Sequence, residues 1–260
     1  MFLLHEVNKN KDKNNSDLNI PHIVLYNHLM NQFFNAWSFF FKNWKDLLPI
    51  AMPLFILSLI TMYYVGPLVT PYLNANQFDQ LQDFLEDNNL YLTVLDLIYD
   101  IAFIAFVAAI NAQFYILTIN KQPLRTSDLF SKSLSKIIWL FIASFLSSLF
   151  IGIGFIFFIL PGIYLFVRFS LFPVFIIIED QGPVSSLMLS WEMTDQYGGQ
   201  LFSQTILFFM IMLLVFILSS VIFSIFGQAI TIAIIFIEFY VFCIVLSYLY
   251  FSLYKSVKNL

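Results

Sequence analysis

The sequence predicts an all-α fold, a polytopic transmembrane helical bundle of about six spans with interfacial amphipathic helices. Three observations carry that prediction. First, 60% of the 260 residues are apolar and only 11% charged, and the mean hydropathy is +0.83. Soluble domains carry about 25% charged residues, and a chain of this size folded in water cannot hide so much apolar surface. Second, six segments reach the length of about 20 apolar residues that crosses the hydrocarbon of a bilayer. Third, the basic residues collect on one side of the path those segments trace. The spans are helices because lipid offers backbone amides no other partner, and their length does not suit barrel strands.

Residues 1–46 read as a tail and an interfacial helix, 47–254 as the six-span domain, and 255–260 as a second tail. The start lacks a basic n-region and a small-residue cleavage site, so no cleaved signal peptide is expected. Asn8 to Asn19 is polar and expected to be flexible. Ile23, Tyr26, Met30, Phe33, Trp37, Phe41 and Trp44 then recur at helical spacing, with Asn27, His28, Asn31, Gln32 and Asn35 on the other face. This pattern suits a helix lying in the membrane interface. The alternative, a seventh membrane segment from Ile20 to Phe41, buries too many amides and imidazoles.

Span one is expected over Leu47–Leu68 and span two over Tyr91–Leu117. The apolar run Ile137–Ile178 is too long for one crossing, and Leu160-Pro161-Gly162 divides it into Ile137–Phe158 and Gly162–Ile178. Gly227-Gln228 divides the last run, Leu201–Tyr254, into spans five and six. Two more amphipathic helices are expected. One lies in the loop after span one, around Phe78, Leu81 and Leu85. The other follows Gly182-Pro183, with Val184, Leu187, Met188 and Trp191 apolar and Ser185, Ser186 and Glu192 toward water.

Lys9, Lys11, Lys13, Lys42 and Lys45 precede span one; Lys121, Arg125, Lys132 and Lys136 lie between spans two and three; Lys255 and Lys258 end the chain. Eleven of the twelve basic residues thus share one face, and the loop with Asp79, Asp83, Glu86 and Asp87 falls opposite. Both termini are therefore expected in the cytoplasm of a cell whose inner membrane holds the protein. Trp37, Trp44, Trp139 and Trp191 map to the same boundary, where indole rings settle at headgroup depth.

Ionisable groups at membrane depth are costly and make candidate functional residues. There are four: Asp96 and Asp100, one turn apart on span two; Arg168 on span four; and Glu238 near the middle of span six. Counting rise per residue puts Asp100 and Arg168 at similar depth, so a structural ion pair is expected between them. A proton or ion pathway through Glu238 is the functional alternative. Ser144, Ser148 and Gly152, with Ala143 and Ser147 beside them, read as a close-packing helix seam. Pro49, Pro53 and Pro173 are expected to interrupt spans one and four, at matching places in two three-span halves.

No catalytic chemistry emerges. The chain lacks a phosphate-cradling glycine loop and a nucleophile–base motif, and His5, His22 and His28 have no metal-ligand spacing. A single cysteine, Cys243, permits neither an intrachain disulfide nor a thiolate cluster. The scattered basic residues do not suggest nucleic-acid binding. No enzyme activity, cofactor or metal is expected, and the lipid bilayer is the one partner implied. The leading reading is a non-catalytic structural or accessory membrane protein; the alternative is a small transporter or lipid-handling protein using Glu238, Arg168 and Asp100.

Leu160-Pro161-Gly162-Ile163-Tyr164, Arg168, Phe172-Pro173-Val174 and Glu179-Asp180 lead into Ser186-Leu187-Met188-Leu189-Ser190-Trp191-Glu192-Met193-Thr194. This stretch resembles the YciC-like family of bacterial inner-membrane proteins, and the related membrane domain attached to some glycerophosphodiester phosphodiesterases. Asn76-Gln77-Phe78-Asp79-Gln80-Leu81 resembles the first outer loop of YciC-like proteins. The chain departs from these relatives in its Asn-rich N-terminal stretch and in lacking basic residues around Ser186–Asp195. The resemblance implies a six-span inner-membrane protein of a Gram-negative bacterium and brings no enzymatic activity with it, since no phosphodiesterase domain is present.

Overall fold

The computed structural model describes residues 22–69, 87–119 and 123–258. The acidic-loop helix expected around Phe78, Leu81 and Leu85, the loop match at Asn76–Leu81 and the polar stretch Asn8–Asn19 lie outside the described residues. Among them every regular element is a helix: α1 (His22–Val69), α2 (Asn89–Ile119), α3 (Thr126–Ser135), α4 (Ile137–Phe157), α5 (Ile159–Phe169), α6 (Phe172–Ile178), α7 (Pro183–Asp195), α8 (Gly198–Phe223), a 3₁₀ turn (Ser224–Phe226) and α9 (Gln228–Lys258). Among the described residues, six stretches are long and apolar enough to cross a membrane: α1, α2, α4, α5 with α6, α8 and α9. The protein is an all-α, multi-pass helical bundle.

Its outer surface has the chemistry of a lipid-facing one. Ile138, Phe145 and Ile153 on α4, and Met210, Leu214, Ile217 and Val221 on α8, are all exposed. The core lies where α9 packs against α1, α2 and α8. Phe39 stacks on Tyr248 with ring centroids 3.8 Å apart, and Phe114 meets the same tyrosine edge-on at 5.2 Å. Such paired rings add to their area burial by favouring one geometry over others. Tyr240 and Ser58 share a 2.5 Å hydrogen bond that joins α9 to α1.

The interfacial helix and span one are one element, α1, with a single non-helical residue inside it, Asn43 (φ −117°, ψ 16°). The interruption of this span is therefore at Asn43, and Pro49 and Pro53 sit in helix that runs on through them. The N-terminal part of α1 folds onto the bundle: Phe33 meets Phe208 at 6.1 Å and Trp37 meets Phe242 at 5.3 Å. Gln32, expected on a watery face, accepts hydrogen bonds from Gln200 (3.1 Å) and Gln204 (2.7 Å) of α8. An amide that meets other amides loses little by leaving water.

The α4–α5 hairpin turns at Phe158, whose extended backbone (φ −168°, ψ 162°) separates the helices. Pro161 lies within the first turn of α5, where its missing N–H has no helical partner to lose. Gly162 serves close approach: a Cβ on Gly154 would stand 2.9 Å from the Gly162 Cα. The close seam is therefore the Gly154–Gly162 pair. Gly152, on the stripe expected to be the seam, has nothing within 4 Å of such a Cβ, and Ser148 is exposed.

The expected breaks at Gly227 and Pro173 are present. Gly227 adopts φ 99°, which glycine reaches without a Cβ clash. Span four divides at Ser170–Leu171, and Pro173 opens α6. The end of α6 is tied down by ions and a phenol. Lys258 pairs with Glu179 at 2.8 Å and Tyr254 donates to the same carboxylate at 2.9 Å, because α9 remains helical through residues 255–258. Asp180, in the left-handed region (φ 55°), pairs with Lys136 at 2.8 Å.

Candidate functional site

Around the break in span four, α7 turns back along α6 and reaches α5. Its packing face is not the apolar one. Pro183, Ser186, Leu187, Ser190 and Thr194 are buried, whereas Val184, Met188 and Trp191 are exposed. Ser186, expected toward water, is thus fully inside; of the expected apolar face only Leu187 is buried, while Trp191 lays one side of its ring on Phe169 at 5.7 Å. Small hydroxylated residues let helices approach closely, and their oxygens satisfy backbone groups freed by a helix break. Ser190 shows this directly: it donates to the Arg168 carbonyl at 2.7 Å and accepts from the Leu171 amide at 3.1 Å. Thr194 adds a 3.3 Å bond to the same carbonyl.

The side chain of Arg168 is held by the far end of α7. Its Nη2 donates to Asp195 at 2.9 Å, and its guanidinium carbon lies 4.1 Å from the Trp191 ring centroid. Nε and Nη1 have no hydrogen-bond partner among the described residues. Gly198, the first residue of α8, leaves the space Nη1 needs, since a Cβ there would stand 3.2 Å away. The expected Arg168–Asp100 pair is not formed. Helical rise fixes position along an axis but says nothing of which neighbour faces the residue, and α7 supplies a carboxylate closer at hand.

Asp96 and Asp100 are exposed on α2. Asp100 lines an open cleft of about 770 Å³ between α1, α2, α8 and α9, with Tyr99, Thr61, Ser58 and Tyr240 as its other polar groups. The remaining wall, including Leu54, Met62, Phe216 and Phe236, is apolar. Glu238 lies elsewhere, accepting a short hydrogen bond from Ser219 of α8, and its second oxygen has no partner among the described residues. The four candidate residues are thus spread over the α2 surface, the α5–α7 junction and the α8–α9 contact. Among the described residues, no three His, Cys, Asp or Glu side chains gather into a metal-ligating group.

A second cavity, of about 270 Å³, lies between α2, α4, the α5–α6 break and α9. Asn111, Ser144, Ser147, Ser148, Ser170 and Ser247 contribute its polar wall. Sequence reasoning missed this cavity, Asp195 as the arginine's partner, and the Ser58–Tyr240 bond. One signal was available: Ser186, Ser190 and Thr194 recur every four residues, a stripe of hydroxyls on a helix that otherwise reads as lipid-facing.

No curated protein and no solved structure matches the chain. A family model described as "Uncharacterised protein family (UPF0259)" matches residues 106–255, more than half of the chain. The match takes in the Arg168–Asp195 junction and Glu238, and leaves out Asp96 and Asp100. On the strength of that match, this multi-pass membrane protein belongs to the UPF0259 family.

Proposed function

We propose that the chain is a non-catalytic accessory protein of a bacterial inner membrane that handles lipid, with both termini in the cytoplasm. The observation that carries this reading is the 770 Å³ cleft, open to the outside of the bundle, with an almost wholly apolar wall. An apolar cleft between membrane helices is filled by what surrounds it, and acyl chains are the apolar matter of a bilayer. The resemblance to YciC-like proteins supports the inner-membrane placement, and the one-sided lysines and arginines support the orientation. A charge-relay transporter is supported less well, because Asp100, Arg168 and Glu238 each engage a different part of the bundle.

Native mass spectrometry of the protein released from nanodiscs tests the proposal. Phospholipid is expected to remain bound, and Thr61→Trp, which fills the cleft from its wall, is expected to reduce the retained lipid severalfold at unchanged melting temperature. Bare protein, or equal lipid on both forms, overturns the lipid reading. A reporter inserted within residues 74–89 is expected to be active only outside the cytoplasm; activity inside overturns the orientation.

A further inference from the structure

We propose that the second cavity is a binding site for an uncharged, hydroxyl-headed amphiphile with one alkyl chain, of the monoacylglycerol type. The walls specify both halves of such a molecule. None of the residues lining the 270 Å³ space is Asp, Glu, Lys, Arg or His. A charged headgroup would enter without a counter-ion and bear the penalty of an unpaired charge in low dielectric. A neutral headgroup carries no such penalty.

The hydrogen-bonding groups select a hydroxyl. Asn111 is 4% exposed, and its Nδ2 donates to the Val107 carbonyl at 2.8 Å. Its Oδ1 receives no hydrogen bond among the described residues, which leaves it an acceptor on the cavity wall. Ser147, Ser148 and Ser170 spend their protons on their own helices, donating to the carbonyls of Ser144, Phe145 and Val167 at 2.8–2.9 Å. Their oxygens retain lone pairs that can accept from a ligand. Ser144 and Ser247, whose hydroxyls have no hydrogen bond among the described residues, can both donate and accept, so the wall matches a ligand hydroxyl in both roles, whereas an ionised carboxylate or phosphate leaves the acceptors unused.

The rest of the wall, including Ile104, Ile151, Phe166 and Leu246, is apolar, and the cavity is partly open. An alkyl chain lies against these side chains and leaves through the opening. This distinguishes the site from a water pocket, where apolar walls of such extent bring no benefit.

Equilibrium binding of 1-monodecanoylglycerol, decanoate and decyltrimethylammonium to the protein in nanodiscs tests the proposal, with melting temperature recorded for every variant. The neutral amphiphile is expected to bind saturably, one per chain, at least about tenfold tighter than either charged one of equal chain length. Ser144→Ala/Ser148→Ala and, separately, Asn111→Leu are expected to weaken it about tenfold, each acceptor being worth on the order of 1 kcal/mol. Ser144→Ala/Ser148→Ala keeps the helix and provides the test if Asn111→Leu fails to fold. Thr61→Trp is expected to leave this binding unchanged. Equal affinity for the three amphiphiles, or undiminished binding by the serine variant, overturns the site; loss of binding in Thr61→Trp places the ligand in the other cleft and overturns it as well.

Discussion

The guanidinium of Arg168 is 1% exposed, yet the carboxylate it donates to, Asp195, keeps 71% of its side-chain surface open. The cation is the buried partner and the anion the replaceable one. Removing Asp195 alone therefore strands a charge inside the bundle, whereas removing both partners does not. Asp195→Ala is expected to lower stability by about 1–3 kcal/mol, the range for a buried donor left unpaired. Arg168→Met/Asp195→Ala is expected to be milder than Asp195→Ala. Thermal unfolding in one detergent checks the order, with Asp100→Asn as the control expected to match the parent. A double variant no better than the single would show that the pair is not what holds Asp195.

Ser190 mends the break in span four on both sides, and its loss should be felt although the residue is small. Ser190→Ala leaves the Leu171 amide without its partner and the Arg168 carbonyl with the longer Thr194 bond alone, at about 1–3 kcal/mol. Ser185→Ala, five residues away on the exposed face, is expected to change nothing. Comparing the two by thermal unfolding reads the inward orientation of the hydroxyl stripe.

Glycines of the α4–α5 hairpin differ in what surrounds them. Gly154→Ala pushes a methyl into backbone that cannot move aside, and a cost of about 1–3 kcal/mol is expected. Gly152→Ala meets open space and gains the helical preference of alanine over glycine, about 0.5–1 kcal/mol. Opposite shifts in melting temperature are the expected result.

Acid should loosen the link between α6 and the start of α4. The hydrogen bond and charge of Lys136 hold the Asp180 carboxyl below the usual aspartate value. A carboxylate depressed in the folded state contributes stability above its unfolded pKa of about 4, lost as pH falls through the lower folded value. Because Asp180 is exposed, the contribution is small and salt-sensitive. Asp180→Asn is expected to flatten the parent's decline in stability below about pH 4 while leaving neutral stability nearly unchanged. An identical acid profile in the variant would show that other groups govern it.

Composition and hydrophobic run length determined the fold class, the number of long apolar helices and the breaks at Pro173 and Gly227. These follow from backbone chemistry and from the thickness of hydrocarbon, both local in the sequence. Only the tertiary structure decided who meets whom. Arg168 turned to Asp195 because α7 folds back along α6, and rise along one helix carries no information about a neighbour's arrival. The face of α7 was misjudged for a related reason: in lipid, large apolar residues have no cause to turn inward, and small hydroxylated ones do, where they serve broken backbone. Both cavities likewise arise from surfaces of four elements that fail to close on one another, a relation that no single stretch of chain contains.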